Sequence, residues 1–146
     1  MFGKILVPVD GSRHSNRAVE AAVELAACHG SSVHLLHAIR NLSLPREILE
    51  MIARGEVTQS GMEILEDSAE IILDMARERF ESAGIENVQS TYLIGDPAWE
   101  IAEYAREKEI DLVVIGRRGL DPHSDLLGGV ARKLLNTAEI TCLVVS

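Results

Sequence analysis

Five short runs of apolar, branched residues alternate along the chain with stretches of helical periodicity. The runs cover residues 4–9, 33–39, Val88–Ile94, 112–115 and 141–145. Runs of this length and composition predict β-strands buried in a parallel sheet. The third run is mixed in polarity, which is typical of a sheet edge. We therefore predict an α/β protein with an open, doubly wound, five-stranded parallel sheet and helices on both faces.

The intervening stretches predict helices whose ends are marked by capping residues. The first helix has Ser12 and Ser15 as alternative N-caps and ends at Gly30. A short helix within residues 44–55 is an insertion over the sheet, and another helix starts at Asp96-Pro97. The longest helix covers residues 61–83, with an apolar stripe at Met62, Leu65, Ala69, Ile72, Ala76 and Phe80. No linker or repeat divides the chain, so we predict a single domain over residues 1–146.

The charge and the cysteines narrow the range of functions. Lysine and arginine number 14 against 23 acidic residues, which gives a net charge of −9. This balance argues against nucleic-acid and anionic-membrane partners, since both require clustered cations. Cys28 lies in a helical pattern and Cys142 in an apolar strand, so we expect two buried thiols and no disulfide or zinc site. No apolar run is long enough to span a membrane, and we expect a cytoplasmic protein.

Two distinctive loops follow the first and fourth strands. Pro8-Val9-Asp10 ends the first strand, and Ile115-Gly116 ends the fourth and opens a segment with glycines at Gly116, Gly119, Gly128 and Gly129. If the strand order is 3-2-1-4-5, both loops meet where the order reverses, which is where open α/β sheets bind ligands. Backbone N–H groups of such a loop, next to a helix N-terminus, suit a phosphate.

Several side chains near these loops have two interpretations. Asp10 could accept hydrogen bonds from a ribose hydroxyl or an adenine amino group, or it could simply form the turn before the first helix. Arg117 and Arg118 either reach a phosphate or are solvated, and His123 and Ser124 are weaker candidates. Trp99 is expected to pack rather than stack on a base. His34 and His37 lie on opposite faces of one strand, so they do not form a metal-binding pair.

The motifs of several enzyme classes are absent from the sequence. There is no G-x-x-x-x-G-K-[ST] of a P-loop hydrolase, no G-x-G-x-x-G after the first strand and no G-x-S-x-G nucleophile elbow. The first strand also lacks the acidic pair of a receiver domain. Since no residue is identified as a general base, we predict binding without fast turnover rather than an enzyme.

The chain resembles the universal stress proteins of the UspA type over nearly its whole length. The resemblance is carried by KILVPVDGS, VHLLHAI, IGDPAWEIAEYAREKEIDLVVIGRRG, LLGGVARKLL and TCLVV. The ATP-binding branch of that family carries G-2x-G-9x-G-[ST], and Gly116 and Gly119 match its first half. Eight residues, not nine, separate Gly119 from Gly128, and Gly129 stands where the family has serine or threonine. We expect this loss of a hydroxyl to weaken nucleotide binding by roughly ten- to a hundred-fold, so that AMP competes better against ATP.

The resemblance implies an adenine nucleotide alpha-hydrolase-like fold and a regulatory, stress-response homodimer that binds ATP or AMP. Mg²⁺ is expected only with a bound triphosphate. By position, the implied nucleotide contacts are Pro8, Val9, Asp10, Ala38, Ile115, Gly116, Arg117, Gly119, Gly128, Gly129, Val130 and Ala131. The dimer would form through the last strand, at Thr141, Leu143, Val144 and Val145. The alternatives are a dimeric interaction module without a nucleotide and a slow ATPase or phosphotransferase.

Overall fold

The sheet has the predicted architecture. The computed structural model describes residues 1–40, 46–55, 60–119 and 127–146. All strand pairs are parallel and the order is β3-β2-β1-β4-β5, so the predicted fold class is confirmed. The strands are β1 Lys4–Pro8, β2 Ser32–Ile39, β3 Val88–Ile94, β4 Leu112–Gly116 and β5 Cys142–Val145.

Five helices connect these strands among the described residues: α1 Arg13–His29, α2 Arg46–Ala53, α3 Ser60–Ser82, α4 Pro97–Glu107 and α5 Gly129–Thr137. Of the two N-cap candidates for α1, Ser12 is the cap, because its side chain accepts a hydrogen bond from the Ser15 N–H. The helix ends at Gly30, which has a left-handed φ of 63°. Asp96 caps α4 by accepting from the Trp99 N–H, with Pro97 as the first helical residue.

The sheet separates two cores. Helices α1 and α3 cover one face, where Val7, Leu35 and Phe80 are at most 1% exposed. Helices α4 and α5 cover the other, around Leu6 and Leu134. Adjacent residues of β1 thus point into different cores, as a strand with period two requires when both of its faces are buried. Burial of each such side chain stabilises the fold by about 1.5–3 kcal/mol.

Three expectations about burial are wrong. Leu73, which the predicted stripe of α3 omits, is 4% exposed, whereas Met62 and Leu65 are only half-buried. Cys28 is exposed and Cys142 is half-buried, so neither thiol is fully enclosed. Trp99 is 63% exposed and does not pack into the core. None of the helices in the described part of the chain is long and apolar enough to cross a membrane.

Candidate functional site

A cavity of about 670 Å³ opens at the carboxyl ends of β1 and β4, where the strand order reverses. Its volume lies within the range of ligand-binding pockets. All twelve residues proposed from the sequence lie around it: Pro8, Val9, Asp10, Ala38, Ile115, Gly116, Arg117, Gly119, Gly128, Gly129, Val130 and Ala131. His123 and Ser124 lie outside the described residues.

The turn after β1 holds Asp10 at the cavity. Asp10 Oδ1 accepts a hydrogen bond of 2.8 Å from the Ser12 N–H, while the Asp10 N–H donates to Ser15 Oγ at 3.1 Å. Gly11 between them has a φ of 80°, a conformation that favours glycine. The two interpretations of Asp10 are therefore compatible, because one carboxylate oxygen forms the turn and the residue still lines the cavity.

The segment after β4 is closely packed against the first loop. A Cβ on Gly116 would lie 2.7 Å from the carbonyl carbon of His14, so only glycine fits there. A Cβ on Gly119 would lie 2.9 Å from Asp10 Oδ2. The Arg117 carbonyl accepts from the Gly128 N–H at 2.7 Å, which brings the start of α5 back to the end of β4. The glycines thus allow the two loops and α5 to meet at one place.

The N-terminus of α5 presents backbone donors to the cavity. Gly128 is the N-cap and makes no side-chain hydrogen bond, and Gly129, Val130 and Ala131 are the first helical residues. Their N–H groups come before the first intrahelical bonds and carry the positive end of the helix dipole. A Cβ on Gly129 would find no heavy atom within 4 Å, so this position is open. The arrangement suits an anionic group.

Among the described residues, the charged side chains that line the cavity are mainly positive. Arg40, Arg117 and Arg118 line it, and Asp10 is the one carboxylate among the described lining residues. Burial lowers the pKa of the nearby His14 imidazole, and the charges of Arg118, Arg17, Arg13 and Arg117 lower it further. This local excess of positive charge contrasts with the net charge of −9 for the whole chain.

The remaining wall is mainly apolar, with polar side chains at Ser15, His37 and Ser68. Leu36, Ala38 and Ile115 come from the strands, and helices α3 and α4 contribute Leu65, Ser68, Ile72, Pro97 and Ile101. His37 Nδ1–H donates to the Val9 carbonyl at 2.7 Å, which ties the ends of β1 and β2 together and leaves Nε2 as an acceptor in the neutral ring.

Sequence reasoning did not identify His37 or Arg40 as lining residues. Both follow from the topology, because residues at the end of β2 share the edge of the sheet that holds the ends of β1 and β4. No sequence pattern indicated that side chains of α3 would line the cavity, because their position depends on how that helix crosses the sheet. Among the described residues no group of three or more His, Cys, Asp or Glu could hold a metal ion.

The family model for universal stress proteins matches residues 1–146. The chain belongs to the universal stress protein family. The universal stress protein YxiE of Bacillus subtilis is 32% identical to this chain, and the match covers 99% of both. The resemblance inferred from the sequence is therefore confirmed, while the interpretation of the variant glycine motif stays a prediction.

Solved structures of universal stress proteins have the same fold. UspA from Lactobacillus plantarum superposes with a TM-score of 0.80 at 25% identity, covering 99% of this chain and 98% of that one. A universal stress protein crystallised in complex with cAMP has a TM-score of 0.70 at 25% identity, with 99% and 96% coverage.

Proposed function

We propose that this universal stress protein binds an adenine nucleotide, ATP or AMP, as a regulatory ligand and does not turn it over rapidly. The proposal is carried by one observation, the convergence of the Asp10 turn, the glycine segment and the N-terminus of α5 on a single positively charged cavity. The related structure bound to cAMP supports the same class of ligand. A cytoplasmic location is part of the proposal.

Each part of the cavity suits one part of a nucleotide. Val9, Ala38 and Ile115 offer apolar surface to an adenine ring. Asp10 retains acceptor capacity for a ribose hydroxyl or the adenine amino group, since its Oδ1 bond to Ser12 does not occupy every lone pair. Backbone N–H groups at the start of α5 are then placed for phosphate, with Arg117 beside them. Mg²⁺ would enter only with a triphosphate.

Isothermal titration with ATP, AMP and cAMP tests the proposal. The wild-type chain should release heat with at least one of these nucleotides at protein concentrations near 100 µM or so. Asp10→Ala should weaken that binding, because it removes the carboxylate acceptor. Asp74→Ala is the matched control, since Asp74 is exposed on α3 and does not line the cavity. Absence of heat with all three nucleotides would refute nucleotide binding in the millimolar-to-micromolar range.

The replacement of a family Ser/Thr by Gly129 favours a second candidate, a dimeric interaction module without a ligand. An empty, collapsed cavity in crystals grown with nucleotide would support it. Slow phosphate release that survives repurification and disappears in Asp10→Ala would instead establish an ATPase or phosphotransferase.

The edge strand β5 supports homodimer formation as the second part of the proposal. The Thr141 carbonyl, just before β5, accepts from the Val113 N–H of β4, and the Val145 carbonyl accepts from the Arg117 N–H, just after β4. Since alternate residues of a strand bond to the same neighbour, the backbone N–H of Val144 faces the open edge. Leu143 is 39% exposed beside it, and an exposed apolar edge favours pairing with another strand.

Light scattering after gel filtration tests the dimer. The wild type should have twice the chain mass of 16.0 kDa. Val144→Pro removes one edge N–H without removing a bond to β4, so it should shift the population towards monomer. A wild-type protein that is monomeric at all concentrations would exclude this interface.

A further inference from the structure

The cavity extends over both faces of the sheet at the carboxyl ends of the strands. Ile115 and Ala131 belong to the core that α4 and α5 cover, and both line the cavity. Val9 belongs to the core under α1 and α3, and it lines the cavity as well. His37 comes two residues after Leu35 of that second core, so it lies on the same face of the sheet. The cavity therefore has one compartment beside α5 and another beneath α3.

Three residues of α3 form the outer wall of the second compartment. Leu65, Ser68 and Ile72 all line the cavity, and their spacing of three and four residues places them on one face of the helix. A Cβ added to Gly11 would lie 3.5 Å from Ile72 Cγ1, so this face of the helix contacts the turn after β1. Leu65 and Ile72 are only half-buried, and each leaves apolar surface uncovered at the cavity. We call the residues that line this side of the cavity the α3 compartment: Val9, His37, Leu65, Ser68 and Ile72.

The chemistry of the α3 compartment differs from that of the rest of the cavity. Helix α3 contributes no charge to the described lining, whose charged residues are Asp10, Arg40, Arg117 and Arg118. The polar side chains of the compartment are Ser68 and His37, and His37 Nδ1 is already bonded to the Val9 carbonyl. Apolar walls with a few polar groups are typical of a pocket for an organic ligand. The compartment thus suits an apolar group that carries one hydrogen-bond donor, and it does not suit phosphate.

The proposed position of the nucleotide directs one edge of the base into this compartment. In adenine the exocyclic amino nitrogen is bonded to the six-membered ring, on the far side of the base from N9, which carries the ribose. The phosphate is proposed at the start of α5, beside Gly129, and the ring is proposed to contact Val9, Ala38 and Ile115. The edge with the amino group then faces away from α5, towards His37 and α3.

We propose that the α3 compartment binds an apolar group on the exocyclic amino nitrogen, so that the cavity prefers N⁶-alkylated adenine nucleotides to unmodified ones. This inference rests on the proposed function, because it concerns the base of the same ligand. An alkylated amino group keeps one N–H, for which His37 Nε2 and Ser68 Oγ are the available acceptors. The alkyl group itself covers the apolar surface that Leu65 and Ile72 leave open.

Titration calorimetry with AMP, N⁶-benzyl-AMP and 8-benzylamino-AMP tests this inference. N⁶-benzyl-AMP should bind roughly ten-fold tighter than AMP or more, which corresponds to burial of about two methylene groups. The compound 8-benzylamino-AMP carries the same group beside N9, on the other side of the base, and should show no gain over AMP.

A variant that fills the compartment tests its location. Ser68 is exposed and lines the cavity, so Ser68→Phe adds a ring there without entering the core, and it should abolish the preference for N⁶-benzyl-AMP over AMP. Ile71→Phe is the matched control and should keep the preference, since Ile71 is 61% exposed on the same helix and does not line the cavity.

The outcomes separate this inference from the proposed function. Binding of AMP with no gain for N⁶-benzyl-AMP would overturn the role of the α3 compartment and leave nucleotide binding intact. An equal gain for 8-benzylamino-AMP, or a preference that persists in Ser68→Phe, would also overturn it. Binding of N⁶-benzyl-AMP without binding of AMP, ATP or cAMP would support the compartment and refute the binding of unmodified nucleotides. Absence of binding by all of these compounds would refute both proposals.

Discussion

Restoring a hydroxyl at Gly129 is the sharpest test of how this protein holds phosphate. Gly129 is the first residue of α5, and the cap before it makes no side-chain hydrogen bond. A Cβ added to Gly129 meets no heavy atom within 4 Å, and its φ is not positive. The Gly129→Ser variant therefore introduces a hydroxyl at the phosphate end of the cavity without a steric conflict.

The expected gain in affinity follows from one added contact. A hydrogen bond to a charged group contributes about 1.5–3 kcal/mol, which corresponds to roughly a ten- to hundred-fold lower Kd for ATP or AMP. Adenosine has no phosphate, so its affinity should not change. Titration calorimetry with adenosine, AMP and ATP on the wild type and the variant measures this difference directly.

Gly129→Ala is the matched control, because it adds the Cβ without the hydroxyl. Both variants should raise the free energy of unfolding by about 0.4–1 kcal/mol, since each restricts the unfolded chain at a position with unstrained backbone. If Gly129→Ser and Gly129→Ala bind AMP and ATP equally, the hydroxyl does not reach phosphate and the proposed placement of the ligand is wrong. The same conclusion would follow if Gly129→Ser increased the affinity for adenosine as much as the affinity for AMP and ATP.

Three further predictions concern stability. His34 is 6% exposed with its Nδ1 2.8 Å from Tyr104 Oη, and burial, followed by the charges of Lys4 and Lys108, lowers its pKa. The unfolded chain then binds this proton more readily, so the free energy of unfolding should fall as pH drops below about 6.5. Urea titrations at several pH values should show a weaker dependence in His34→Leu. Gly116→Ala should cost about 1–3 kcal/mol through its clash with α1, whereas Gly129→Ala should not. Asp96→Ala removes the α4 cap and should lower the free energy of unfolding by about 1 kcal/mol in the same assay.

The fold could be predicted from the sequence because the signals of its elements are local. The mixed polarity of Val88–Ile94 indicated an edge strand, and Asp96-Pro97 indicated a helix start, and both are found at those positions. The error at Cys28 came from reading residue type without helical phase. The buried face of α1 carries Ser15, Ala18, Val19, Ala22 and Ala26, and Cys28 lies on nearly the opposite side of the helix.

The location of the candidate site could be predicted because a parallel sheet brings strand ends together. Asp10 and Gly119 are far apart in the sequence, yet the strand order 3-2-1-4-5 alone places their loops at one crevice. The α3 residues Leu65, Ser68 and Ile72 were not predicted as part of this wall. Their position depends on the crossing of a long helix over the sheet, which no short-range pattern encodes.

Net charge gave the least information about the site, because it averages over the surface. A balance of −9 correctly describes the whole chain, but it does not describe the cavity, where arginines outnumber the one described carboxylate. Arg13 and Arg117 are separated by most of the sequence, yet the charges of both lower the pKa of His14, and Gly116 is the residue that allows the end of β4 to pack against the backbone of His14 in α1. A larger side chain at Gly116 would push the end of β4 away from the first turn of α1. We therefore expect Gly116, which resembles part of a phosphate-binding loop, to act also by allowing the two loops at the cavity to pack closely.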